Sequence, residues 1–221
     1  MQEIYSQTAS TQEHSVQVSK VLRNTYTLLA LTFAFSAFMA VVAIFANVPY
    51  MGLWMLLPYV AFLWLTEKNK NNSMGLVWVF ALTGWLGFTA GPIVGMVTAT
   101  AGIEPVLMAL GGTALIFFGL SGYVLTTRKD LSFMSGFLMT GLLVAFVAAI
   151  ANVFLNISGL SLAVSSMFLL LSSGVIAWYT SVIIHGGETN YISATVTLFV
   201  AIYNIFMSLL SLIMSFTGGD D

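Results

Sequence analysis

Side chains able to do acid–base or ion chemistry are few in this chain, and none lies where a reaction inside a membrane would need it. The 221 residues include six Lys and Arg, eight Asp and Glu, two His and no Cys. Every charged residue falls between long apolar runs and none falls inside one. An ionisable group at membrane depth is costly and marks a proton relay, an ion path or a substrate site, so the usual carriers of those mechanisms are missing. His14 lies in a polar N-terminal stretch and His185 follows the sixth run, which leaves no base at membrane depth for a serine nucleophile. The last run holds no Lys, and this excludes a retinal Schiff base. His185 and Glu188, in HGGETN, form the one candidate metal pair, but two ligands are too few for a specific site. A turn in which Gly186 or Gly187 ends the sixth run is the simpler reading. Without Cys there is no disulfide, thiolate metal site or Cys nucleophile. No catalytic residue, cofactor site or metal site is therefore assigned.

The elements that carry these residues are membrane spans. The chain is 59% hydrophobic and 6% charged, against roughly 25% charged in soluble domains, so it cannot be a water-soluble globule. A spanning helix needs about 20 apolar residues. Uninterrupted runs predict seven spans in an all-α fold, near 24–46, 50–66, 74–97, 105–127, 133–155, 158–184 and 191–216. Span two is the shortest and carries Pro58, so it is expected to be tilted or broken. The resulting organisation is a disordered cytoplasmic tail over 1–19, a seven-helix domain over 20–217 and a short external tail over 218–221. The first apolar run is too long for a signal-peptide core and reads as a retained anchor.

Orientation follows from charge. Lys20 and Arg23 precede span one, Lys68 and Lys70 lie between spans two and three, and Arg128 and Lys129 lie between spans four and five. Alternating crossings put all three pairs on one side, and the opposite loops hold no Lys or Arg. The positive-inside rule then predicts a cytoplasmic N-terminus and an external C-terminus. No basic patch for nucleic acid is present.

Faces of the spans carry two further patterns. Gly84, Gly87, Gly91 and Gly95 step by three, four and four along span three, a stripe that lets another backbone approach closely. Pro92 withdraws a hydrogen bond from the Phe88 carbonyl, so a kink is expected there. Span four has its own glycine series, Gly111, Gly112, Gly119 and Gly122. In span seven, Ser193, Thr197, Ala201, Asn204, Ser208 and Ser211 form one mildly polar stripe, and span six offers Ser158, Ser161, Ser165, Ser172 and Tyr179 as a counterpart. Facing hydroxyls of this kind contribute about 0.6 kcal/mol per bond, which sets packing.

Several segments resemble the Bax inhibitor family, also called the transmembrane Bax inhibitor motif proteins, and within it a bacterial inner-membrane branch. They are KVLRNTY at 20–26, the Gly91-Pro92 element, ALGGTALIFF at 109–118, YVLTTRKDLSF at 123–133, IIHGGETNYI at 183–192 and YNIF at 203–206. The resemblance implies a seven-helix fold with the last helix central and the other six around it, in a bacterial inner (plasma) membrane. It also implies two activities. One is modulation of FtsH, the membrane-bound ATP-dependent protease, as a regulatory partner or slow substrate. The alternative is a calcium or other cation leak, in which relatives use a pair of aspartates sharing a proton. The corresponding positions here are Tyr179 and Ala201, and neither can be a carboxylate. A cation path would then depend on Thr197, Asn204 and Ser208 without that switch.

Overall fold

The computed structural model describes residues 2–217, with side chains from Val16 onward; the tail over 218–221 lies outside them. The described chain is seven α-helices: α1 Gln2–Phe45, α2 Leu56–Asn69, α3 Met74–Ala101, α4 Glu104–Thr127, α5 Ser135–Leu155, α6 Ser158–Ile184 and α7 Tyr191–Thr217. Six are long and apolar enough to cross a membrane: the Val16–Phe45 part of α1, then α3 to α7. α1 begins at Gln2 and so takes in the polar lead-in, where an unfolded tail is expected from composition.

The second span differs from its sequence reading. A 3-10 turn, Gly52–Met55, precedes α2, whose 14 residues reach about 21 Å against a hydrocarbon core of about 30 Å. Pro58 is the third residue of α2, where a backbone N–H would have no helical acceptor, so it starts the helix and does not break it. Glu67 ends the apolar run, but the backbone continues helical to Asn69. The Trp85 indole N–H donates to the Met55 carbonyl at 3.0 Å and ties this short element to α3.

α1 and α3 form the tightest pair. A Cβ placed on Gly87 would overlap the Ser36 carbonyl oxygen, one on Gly91 would lie 2.6 Å from the Ala40 carbonyl oxygen, and one on Gly84 would lie 2.5 Å from the Phe35 ring. Gly95 is looser, at 3.4 Å from Ile44. α3 runs unbroken through Pro92. The glycines of α4 differ in kind: Gly112 meets Leu209 of α7, whereas Gly111, Gly119 and Gly122 face open space.

α7 packs against α1, α2, α3, α4 and α6; where six helices are expected around it, α5 is not among its principal neighbours. Its Phe199 is fully buried and stacks on Phe33 of α1, ring centroids 4.6 Å apart. Leu198 and Ile205 are also fully buried, and Ala201 is nearly so. α5 packs chiefly on α6, through Leu171 over Gly141 and Leu138 over Gly174. Its opposite face, including Phe137, Leu143 and Val147, is exposed and meets lipid.

Candidate functional site

The polar side chains gather at one end of the bundle, the end that also holds Lys68, Lys70, Arg128 and Lys129. There the last turn of α2, the end of α6 and the start of α7 enclose a cavity of about 530 Å³ lined by Glu67, Tyr179, Glu188, Ser193 and Thr197 among apolar neighbours. Its geometry follows from how α6 stops. The Gly186 and Gly187 amides close back on the Ile183 and Val182 carbonyls at 3.1 and 2.9 Å, and Gly186 takes φ +75°, a conformation glycine adopts without strain. The chain then reverses and brings Glu188 back over α6. The Tyr179 hydroxyl donates to Glu188 Oε2 at 2.8 Å, and the Asn190 amide donates to Glu188 Oε1 at 2.7 Å.

Asn190 is the N-cap of α7. Its side-chain oxygen accepts from the Ile192 and Ser193 amides at 2.9 and 3.2 Å, satisfying two donors that a helix start leaves free. Its side-chain NH2 donates to the Lys70 carbonyl at 3.0 Å and to Asn71 Oδ1 at 2.9 Å. One residue therefore fixes both the first turn of α7 and the α2–α3 connection. Glu67 completes the enclosure: its Oε2 accepts from the Ser193 hydroxyl at 3.1 Å, and its Oε1 pairs with Lys70. That carboxylate holds the Lys70 ammonium above its ordinary pKa.

The α4–α5 connection is fastened to the same end. The Ser181 hydroxyl donates to the Lys129 carbonyl at 2.9 Å and accepts from the Leu131 amide at 3.0 Å. Asp130 accepts from the Ser132 amide at 2.9 Å and from its hydroxyl; these bonds hold its carboxyl below the usual range. His185 Nδ1 lies 2.8 Å from the Ser181 carbonyl. Glu188 is directed to Tyr179, so His185 and Glu188 do not converge. Among the described residues no group of three or more potential metal ligands occurs.

The residues singled out from sequence are thus only partly assembled. Tyr179 and Thr197 line the enclosure, whereas Ala201 is 4% exposed within the apolar core. Asn204 and Ser208 lie farther along α7 and do not line it. Thr197 donates to the Ser193 carbonyl of its own helix at 3.0 Å. Across the two stripes the Ser165 hydroxyl donates to that of Ser211 at 3.1 Å; Ser172 is buried without a partner. Sequence reasoning missed Glu67, Ser181 and the double role of Asn190. An Asn just before an apolar run is a helix-start signal and points to the capping role. The contacts to Lys70 and Asn71 carry no local signal.

The enclosure sets one carboxylate, Glu67, against the Ser193 hydroxyl and a second, Glu188, against the Tyr179 hydroxyl at this end of the bundle. Comparison with known proteins agrees with a membrane role. Residues 18–218 match the family model described as Inhibitor of apoptosis-promoting Bax1. The chain is 51% identical over 202 residues, 91% of this chain and 92% of the relative, to a protein of Escherichia coli K12 named Modulator of FtsH protease YccA. It is 49% identical over the whole of both chains to an uncharacterized protein of Pseudomonas aeruginosa. It is 40% identical, over 96% of each chain, to a membrane protein of Vibrio cholerae. A family match across nearly the whole transmembrane bundle, with relatives this close, places the chain in the Bax inhibitor family.

Proposed function

We propose that this protein is an inner-membrane modulator of the ATP-dependent protease FtsH, acting as a regulatory partner or as a slow substrate that limits the protease's action on other membrane proteins. The observation that carries this reading is the 51% identity, over 91% of the chain, to the Escherichia coli protein named for that role. The chemistry of the site supports it. The di-acidic positions of relatives are Tyr179 and the core residue Ala201, and Thr197, Asn204 and Ser208 do not join into one polar lining. Calcium permeation has no comparable support.

In this reading the protein crosses the membrane seven times, with α2 as a short crossing element beside α3. The end bearing Lys20, Arg23, Lys70 and Arg128 faces the cytoplasm, as the positive-inside rule requires, and the C-terminal tail is periplasmic. The polar N-terminal part of α1 and the pinned connections at 70–73, 128–134 and 185–190 are then the surfaces that a cytoplasmic protease domain can reach.

Two experiments test the proposal. Affinity purification from membranes with a substrate-trapping FtsH variant is expected to recover the protein, and its overexpression to slow turnover of other FtsH substrates; no recovery together with unchanged turnover would refute it. An alkaline phosphatase fusion at the C-terminus is expected to be active. An inactive fusion would remove one crossing from the topology.

A further inference from the structure

A second cavity, independent of the polar enclosure and of the FtsH reading, opens sideways between α1 and α4. Both helices pack on α7, yet a space of about 670 Å³ remains between them, floored by α7 and α3. A protein interior is packed like an organic crystal, and an engineered void of about 150 Å³ already accepts a benzene molecule. A space several times larger does not stand empty in a stable bundle.

Its lining decides what fills it. The walls are almost entirely hydrocarbon: Phe33, Ala37 and Val41 of α1, Leu110 and Ala114 of α4, and Ile202 of α7. Four hydroxyl-bearing residues border the space, Tyr26, Ser36, Thr113 and Tyr203; the Thr113 hydroxyl is committed to the Ala109 carbonyl at 2.6 Å, and the Tyr26 hydroxyl is buried without a partner. Water would find few partners, and an ordered water needs two to four. The mouth faces the hydrocarbon core, since Val41 and Leu110 are about half exposed on helices apolar enough to cross a membrane.

Dimensions separate the remaining occupants. A spanning helix needs an unobstructed path of about 30 Å. The α1 wall, from Tyr26 to Ile44, is about 27 Å long and the α4 wall, from Val106 to Phe118, about 18 Å, both short of that path. At its inner end the Tyr26 and Phe117 rings meet across the gap, centroids 5.8 Å apart, and close it. The groove is therefore blind. It admits a single flexible chain entering from the membrane, and it is too short for a helix lying across the bilayer.

We propose that this groove binds one acyl chain of a membrane phospholipid, inserted between α1 and α4 until it touches α7. The lipid is a resident ligand, distinct from the annular lipid that covers the exposed face of α5. Because the chain contacts Ile202 directly, its presence or length bears on the packing of the helix around which the bundle is built.

The test uses nanodiscs of phosphatidylethanolamine and phosphatidylglycerol in which a fraction of the phospholipid carries a photoreactive diazirine near the end of one acyl chain. Full-length protein is irradiated and the modified residues are mapped by mass spectrometry. Ile202 is only 5% exposed, so lipid reaches it through the groove alone. Labelling of Ile202 and Tyr203 is expected in the native protein, together with annular labelling of Leu143 and Val147. Ala37→Trp and Ala114→Trp place bulk at the mouth, at exposed positions, and the α5 labelling of each variant checks that it has folded. Each is expected to cut the α7 labelling several-fold and leave the α5 labelling unchanged. Labelling of α7 that is absent in the native protein, or equal in all three proteins, overturns the proposal. So does cross-linking that finds a helix of another protein or a second copy of this chain in the groove.

Discussion

Replacing Gly87 by Ala tests most directly how the bundle is held together. A methyl group at this position would overlap the Ser36 carbonyl oxygen and lie 2.6 Å from the Ser36 hydroxyl and 2.7 Å from its carbonyl carbon. Two of these atoms are backbone, so no side-chain rotation relieves the clash and α1 must move away from α3. Overpacking of this kind costs about 1–3 kcal/mol, and a backbone obstacle places Gly87 at the upper end. The better helix propensity of Ala returns about 1 kcal/mol. A net loss of about 2 kcal/mol is expected, which for a chain of this size lowers the melting temperature by roughly 4–8 °C. Thermal unfolding in a mild detergent, followed by tryptophan fluorescence or by loss of the monodisperse peak, reads the effect. Gly119→Ala is the matched control: it makes the same chemical change on a helix surface with nothing within 4 Å, and no destabilisation is expected. Gly91→Ala falls between the two, and Gly95→Ala stays close to the control. If Gly87→Ala melted at or above Gly119→Ala, close backbone approach would not be what binds α1 to α3.

The polar end offers three further tests. A double-mutant cycle of Tyr179→Phe and Glu188→Ala is expected to give a coupling of about 1.5–3 kcal/mol in unfolding free energy, the range for a hydrogen bond to a charged group; zero coupling would mean that their 2.8 Å bond does not form in solution. Asn190→Ala removes the cap of α7 and the tether to Lys70 and Asn71, so a loss of about 1–2 kcal/mol is expected, with faster amide exchange at Ile192, Ser193 and the 70–73 connection. Exchange that changes at α7 alone would show that the tether is idle. The depressed carboxyl of Asp130 stabilises the 128–134 turn at pH values above its unfolded pKa of about 3.9, and this contribution disappears as the pH falls through the lower folded value. Exchange at Ser132 is expected to stay slow from neutral pH down to that range and to be fast throughout in Asp130→Ala.

Much of this architecture is legible in the residues. Long apolar runs give α3 to α7 to within a few positions, because nothing but a helix satisfies its own backbone in lipid. The reading slips at α2, where the run stops at Thr66 while the helix continues to Asn69. Hydropathy reports where lipid ends, and a helix does not have to end there. The glycines show the limit of spacing as a guide. Both α3 and α4 carry a series, but only the α3 stripe is matched along its length by close atoms of α1, because spacing describes one surface and says nothing of the other. The polar enclosure was least legible. Tyr179 and Thr197 stand out by type and position, yet the contact of Ser193 with Glu67 joins residues 126 apart in the chain. Nothing local in either segment announces it.

The interlocking of α1 with α3 also determines how the molecule answers to force. α1 is the first of the described helices, and a load pulling on its N-terminal side meets the Ser36 and Ala40 carbonyls seated against Gly87 and Gly91 like teeth in a rack, which oppose sliding. To release α1, the two backbones must first part sideways along the whole stripe, and α3 in turn is anchored to the start of α2 through Trp85 and Met55. Traction on the N-terminus is therefore shared by three helices before any one of them leaves the membrane, so the chain should give way in a single large step and not helix by helix.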